Sequence, residues 1–231
     1  MILEVIATCM DDALTAEANG ADRLELITAI TEGGLTPGIG LVEQAVRTVR
    51  IPVFVMVRPH SRSFVYTEQD IETMALEIKT IVQAGAAGIV LGALTPAGKI
   101  DEAALERLLP LTGGLQVTFH RAFDELTDQR EGLRTLMKYP QITRVLTSAG
   151  PRPAMESALE MAGLVAEASR NGQLTILAGS GLTTEGITGF IRKTGVQEVH
   201  FGSAVRYNHS NLSPIDPSAL RKLADSVHQL R

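Results

Sequence analysis

What most narrows the fold of this chain is an alternation repeated eight times, in which a short β-branched or aliphatic run is followed by a longer, more polar stretch. The runs are Leu3–Thr8, Arg23–Leu26, Val53–Val57, Ile89–Leu91, Gln116–Phe119, Arg144–Thr147, Thr175–Ala178 and Glu198–Phe201. Between and after them the apolar residues recur with helical period, most clearly over Glu68–Ala84, Glu102–Leu111, Met155–Asn171, Thr183–Thr194 and Ser218–Leu230. Asp101, Thr183 and Asp216 stand where helix N-caps or pre-helical stops belong. Strict strand–helix alternation demands parallel strands joined by helical crossovers. Eight such units in 231 residues suit a closed parallel (β/α)8 TIM barrel, class α/β, better than an open doubly wound sheet.

A weak internal repeat supports that count. Gly20, Gly85 and Gly195 each precede an even-numbered strand, where a glycine supplies the left-handed position that ends a helix, and Pro140 marks the corresponding corner before the sixth strand. No composition shift or linker divides the chain, so residues 1–231 are expected to form one domain.

In a closed barrel the outer face of every strand lies under helices and must be apolar, so the polar alternates point to the axis. Leu24, Leu26, Val53, Val55 and Val57 then face outward. Glu4, Arg23, Glu25, Phe54, Met56, Arg58, Thr118, His120, Arg144, Ser148, Glu198 and His200 face inward. Position along each strand sorts this set, because active sites of such barrels lie at the carboxyl ends and polar groups at the other end serve stability. Glu4, Arg23, Arg144 and Glu198 come early and balance in charge, which reads as an ion-pair plug.

Glu25, Arg58, His120, Ser148 and His200 come late and converge on the mouth. Glu25, Arg58, His120 and His200 are the candidate catalytic residues, with His120 or Glu25 as general acid or base and Arg58 offering its planar fork to a carboxylate or phosphate. Arg121 and Asp124, just past the fifth strand, join Ser148 as candidate substrate contacts. Gly179, Ser180 and Gly181 after the seventh strand, with Gly202 and Ser203 after the eighth, offer backbone N–H groups to an anion where phosphate-binding barrels place theirs. The loop over residues 60–66 carries Arg62, Phe64 and Tyr66, which either close over a ligand or pack back on the barrel, and His209 is given no role.

A net charge of −5 with no Lys/Arg run leaves no footprint for nucleic acid or an anionic membrane. No apolar stretch reaches membrane-spanning length, and Met1-Ile2-Leu3-Glu4-Val5 lacks a basic leader, so the expected location is the cytoplasm. Cys9 is the single cysteine, which excludes an intramolecular disulfide and a thiolate cluster, and no metal ligands are assigned.

The motifs Gly20-Ala21-Asp22-Arg23-Leu24-Glu25-Leu26, Glu32-Gly33-Gly34-Leu35-Thr36-Pro37, Val57-Arg58-Pro59, Val117-Thr118-Phe119-His120-Arg121-Ala122-Phe123-Asp124, Arg144-Val145-Leu146-Thr147-Ser148 and Glu198-Val199-His200 occur together in this order. In these the chain resembles the CutC copper homeostasis family over nearly its whole length. The resemblance implies a TIM barrel, a cytoplasmic homo-oligomer, and copper as the ion handled. Members of that family often carry cysteines shortly after the first-strand Glu and after the Glu-Leu of the second strand, where this chain has Ile6 and Ile27. Cu(I) prefers soft sulfur. Two functions therefore follow: copper handling by resemblance, and acid/base catalysis on a small anionic, phosphorylated or carboxylated metabolite by the residues themselves.

Overall fold

The computed structural model of the chain describes residues 1–170 and 172–230. Eight parallel strands close into a barrel in sequence order: β1 (Ile2–Ala7), β2 (Arg23–Leu26), β3 (Val53–Met56), β4 (Gly88–Leu91), β5 (Gln116–Phe119), β6 (Ile142–Thr147), β7 (Thr175–Ala178) and β8 (Glu198–Phe201). The ring shuts by β8 pairing with β1, with Glu4 opposite His200, while on the other side of β1 Glu4 faces Arg23. These two registers bring an acid, a base and an imidazole to one level of the axis.

The crossover helices are α1 (Met10–Ala18), α2 (Ile39–Thr48), α3 (Glu68–Gln83), α4 (Glu102–Leu108), α5 (Gln129–Leu136), α6 (Ala158–Ser169), α7 (Ile187–Thr194) and α8 (Pro217–His228). Asp101 and Asp216 cap α4 and α8 as their positions suggest, accepting from Ala104 N–H and from the N–H groups of Ser218 and Ala219. Thr67 and Asp70 form a reciprocal capping box on α3. Thr183 is not a cap. Its hydroxyl accepts from Gly186 N–H in a turn, and α7 begins only at Ile187. The expected helix over Met155–Asn171 is interrupted at Ser157, whose φ of −113° separates a 3₁₀ turn (Ala154–Glu156) from α6. Its expected end at Asn171 lies outside the described residues. Gly20, Gly85 and Gly195 do take positive φ behind α1, α3 and α7.

The main core lies between the outer strand faces and the helices, where Leu24, Leu26, Val53, Val55 and Val57 are all at most 3 % exposed. A second, smaller apolar cluster of Ile27, Phe54, Met56 and Val90 fills part of the barrel interior. At the amino-terminal end Glu198 accepts from both Arg23 and Arg144, and Arg23 also donates to Glu4. Both guanidiniums approach the Phe54 ring, with central carbons 5.1 and 4.8 Å from its centroid. That end is thus sealed by paired charge stacked on an aromatic ring. No helix among the described residues is long and apolar enough to cross a membrane.

Candidate functional site

At the opposite end, the carboxyl termini of the strands surround a cavity of about 680 Å³. Its wall is apolar where Ile6, Ile27, Met56 and Leu146 face it and polar where Glu25, Arg58, His120, Arg121 and His200 do. Of the inward residues late in their strands, Glu25, Arg58, His120 and His200 therefore reach a common space, and Ser148 does not.

Its floor is a coupled chain of ionisable groups. His200 Nδ1 lies 2.8 Å from Glu4 Oε1, and His200 Nε2 lies 3.8 Å from Glu25 Oε2, beyond hydrogen-bond length. Burial alone would raise the Glu4 carboxyl, but the Arg23 guanidinium and the His200 ring bring it down to about 2. Glu25 is pushed up to about 7, mostly by burial, with the Glu4 carboxylate adding to the rise and His200 and Arg23 opposing it. Burial works against an imidazolium at His200, yet Glu25 and Glu4 together raise it above the ordinary histidine value. Glu4 thus belongs to both ends: sequence position assigns it to the plug, whereas its two oxygens join plug to site. The reason is geometric, since its strand neighbours on the two sides are Arg23 and His200.

His120 forms the opposite wall. Its Nδ1 accepts from the backbone N–H of Ala122 at 3.2 Å, inside the 3₁₀ turn Arg121–Glu125, and the Phe64 ring packs against it, tilted by 51° with centroids 4.8 Å apart. Burial, followed by the nearby positive charge of Arg58, lowers its pKa to about 3. A neutral ring whose Nδ1 is an acceptor carries its proton on Nε2, so His120 has no free lone pair to act as a base. Of the two acid/base candidates, Glu25 is the one with an unpartnered acceptor atom. Gly92 makes the seat for this ring, because a Cβ there would stand 2.6 Å from Nδ1.

Arg58 is only partly available. Its Nη1 donates to the carbonyls of Glu32 and Gly34 at 2.9 and 3.1 Å, anchoring the loop after β2, and the guanidinium stacks on Phe64 at 4.7 Å. The Nε remains without a partner among the described residues. In the loop after β3, Phe64 and Tyr66 pack back on the barrel, Phe64 also lining the cavity and Tyr66 lying beside His60 with ring centroids 5.5 Å apart, and Arg62 stays exposed outside the cavity lining.

Asp124 and Ser148 are tied to each other and to the ends of β5 and β6. Asp124 receives Arg121 Nε at 2.8 Å, the Ser148 N–H at 3.1 Å and the Thr147 hydroxyl. Ser148 sits behind it and does not face the cavity. Together they brace the turn after β5 against the end of β6, while Arg121 and Asp124 both line the mouth. Gly179 is likewise structural: its N–H is taken by Thr147 O, and a Cβ would meet Leu146 at 2.6 Å and His200 at 3.2 Å. Ser180, Gly181, Gly202 and Ser203 do line the cavity, and their N–H groups meet no acceptor among the described residues.

Among the five described non-glycine residues with left-handed backbone in the loops that follow strands, Ala29, Ala149 and Ser180 have φ of 47°, 62° and 68°. Such residues cost energy and tend to gather at functional loops. The first two, like Asn211 from the loop after β8, lie outside the set legible in the motifs. Asn211 carried no signal beyond membership of a polar connection. His209, exposed and at φ 53°, takes no part.

The CutC family model matches residues 1–205. This chain belongs to the CutC family. The human copper homeostasis protein cutC homolog is 37 % identical over 199 residues, covering 86 % of this chain and 72 % of the human one. A CutC family protein of Xylella fastidiosa (strain 9a5c) is 37 % identical over 86 % of this chain and 73 % of its own. Among solved structures, the putative copper homeostasis protein CutC from Streptococcus agalactiae superposes with a TM-score of 0.81 at 31 % identity, over 87 % of this chain and 97 % of that one. The N-(5'-phosphoribosyl)anthranilate isomerase of Pyrococcus furiosus, at 14 % identity and a TM-score of 0.65 over 99 % of each chain, shares the barrel fold alone. CutC family membership links this chain to copper homeostasis by resemblance.

The donor set in the cavity does not fit Cu(I). The positions where the resemblance puts thiols, Ile6 and Ile27, do face the cavity but present methyl groups. Cys9 is exposed and outside it, leaving the Met56 thioether as the sulfur on the wall. Glu4, Glu25 and His200 can bring one donor atom each within 4.8 Å of one another. Two carboxylates and an imidazole suit a harder divalent ion than Cu(I), and Glu4 is already committed to Arg23 and His200.

Proposed function

We propose that this CutC-family chain contributes to copper homeostasis through chemistry on a small anionic ligand in the barrel mouth, and not by sequestering Cu(I). The observation that carries this reading is the buried Glu25 carboxyl, whose Oε1 lacks a partner on the cavity floor. A carboxyl that exchanges its proton near neutrality is suited to general acid/base work. Arg58, Arg121 and the unengaged N–H groups after β7 and β8 supply the complement for a carboxylate or phosphate. The expected setting is the cytoplasm.

Anaerobic titration with Cu(I) against a chelating competitor tests the exclusion of copper. No stoichiometric site is expected, and a tight 1:1 complex that survives Cys9→Ser would overturn the reading. Inorganic phosphate and malonate are expected to raise the melting temperature of the wild-type protein, with the effect reduced in Arg58→Met. In a deletion strain stressed with copper, Glu25→Gln should fail to complement where the wild type succeeds.

A further inference from the structure

We infer that the barrel mouth is built to remove a proton from the carbon beside a carbonyl group, with Glu25 as the base and His120 as a neutral N–H donor to the carbonyl oxygen. This rests on the small-anion reading above and narrows its ligand to a carbonyl compound bearing a phosphate or carboxylate.

The argument starts from three orphaned atoms. Glu25 Oε1, His120 Nε2 and Arg58 Nε are each buried without a hydrogen-bond partner among the described residues, and all three side chains line one cavity. Buried polar atoms are ordinarily paired. Here the set comprises one acceptor and two donors, the complement of a ligand that presents a C–H acid, a carbonyl oxygen and an anionic group.

The tautomer of His120 decides its role. The Ala122 N–H points at Nδ1, so a proton on Nδ1 would set donor against donor. Imidazolium, which carries both protons, is excluded by the same contact, and the positive charge of Arg58 nearby works in that direction too. What remains is an Nε2–H with nothing to donate to. A neutral donor can stabilise charge growing on an oxygen without being answered beforehand by a carboxylate. His200 differs in this respect, because Glu4 already holds its Nδ1.

Glu25 meets the other requirement. Its surroundings are Glu4, Arg23 and His200, with His200 Nε2 3.8 Å from Oε2, and its Oε1 is buried without a partner in a side chain that lines the cavity. In the step, the C–H bond breaks and its proton passes to Glu25 Oε1. The bonding pair becomes the enolate C=C as the carbonyl π pair moves onto oxygen, where the His120 Nε2–H donates a hydrogen bond. Return of the proton, or of a solvent deuteron exchanged for it on Glu25, restores the carbonyl. The cycle consumes no water, oxidant or reductant.

Two measurements test this. Nitrogen-15 NMR of the wild-type protein is expected to show His120 as a neutral Nε2–H imidazole from pH 5 to pH 9; an Nδ1–H tautomer or an imidazolium at pH 7 would overturn the inference without any substituted variant. Calorimetry with 2-phosphoglycolate and phosphoglycolohydroxamate, the latter shaped like an enolate, is expected to give at least a hundredfold preference for the hydroxamate, lost in Glu25→Gln and in His120→Gln. Equal affinity for the two would remove the enolate step while leaving the anionic ligand standing. Failure of both compounds and of inorganic phosphate to bind would remove the small-anion reading itself.

Discussion

Replacing Gly92 by alanine probes the seat of His120 directly. A Cβ at this position would lie 2.6 Å from His120 Nδ1, 2.7 Å from Cε1 and 3.2 Å from the Phe119 ring. Ordinary contact begins at about 3.5 Å, so the imidazole must yield by roughly 1 Å. It has little room, because Phe64 packs against it and Phe119 lies edge-on at 6.1 Å. Overpacking of this kind costs about 1–3 kcal/mol. Shifting the ring also leaves the Ala122 N–H without its acceptor, for a further cost of about 1–3 kcal/mol. Against this, alanine restricts the unfolded chain and returns about 0.4–1 kcal/mol. The net expectation is a loss on the order of 3 kcal/mol, read as a lower urea midpoint. Gly189→Ala in α7 is the control: a Cβ there meets nothing within 4 Å, so its midpoint should stay or rise. A Gly92→Ala protein as stable as wild type, with His120 still an Nε2–H imidazole, would refute the account of how this ring is held.

The Glu25 carboxyl should also leave a signature in stability. Its folded pKa of about 7 stands above the ordinary 4.5, so the folded state holds this proton more tightly than the unfolded one and stability declines as pH rises between those values; the linked change is on the order of 3 kcal/mol. The raised value of His200 acts in the same sense, its stabilisation being present at low pH and lost as pH climbs through its folded pKa. Urea midpoints taken across pH 5 to 8 should therefore fall for wild type and flatten in Glu25→Gln; parallel profiles would contradict this. At the other end, Glu198→Gln leaves Arg23 and Arg144 beside each other and Phe54 with one carboxylate fewer. Breaking such a buried network costs about 3–5 kcal/mol, and a midpoint within experimental error of wild type would show the plug to be dispensable.

Strand alternation was a reliable guide wherever helices cover the sheet. Leu24 and Leu26 must face the helical layer, so Arg23 and Glu25 had no other direction to take, and the same holds for Val53, Val55 and Val57 against Phe54 and Met56. Distance along the axis was less legible. Glu4 reads as part of the plug, but the registers of β1 with both neighbours allow it to span from Arg23 to His200. Groups whose role depends on a backbone partner were hidden as well. The tautomer of His120 depends on an N–H in the following 3₁₀ turn, and Asp124 and Ser148 are consumed by each other and by Thr147. Gly179 looked like part of an anion cup because a glycine after a strand suits either a ligand or a tight fit. Here the fit is against Leu146 and His200.

The Arg23, Phe54 and Arg144 stack closes one end of the barrel, so the cavity is a well with a single opening. Whatever enters must leave by the same route, past Phe64 and Arg121 at the rim. Glu25 is 3 % exposed, so charge beside it is poorly screened and a small displacement there acts strongly on a bound molecule. A side chain too small to fill the space under the two guanidiniums, as in Phe54→Ala, should let solvent protons reach the floor without passing the rim.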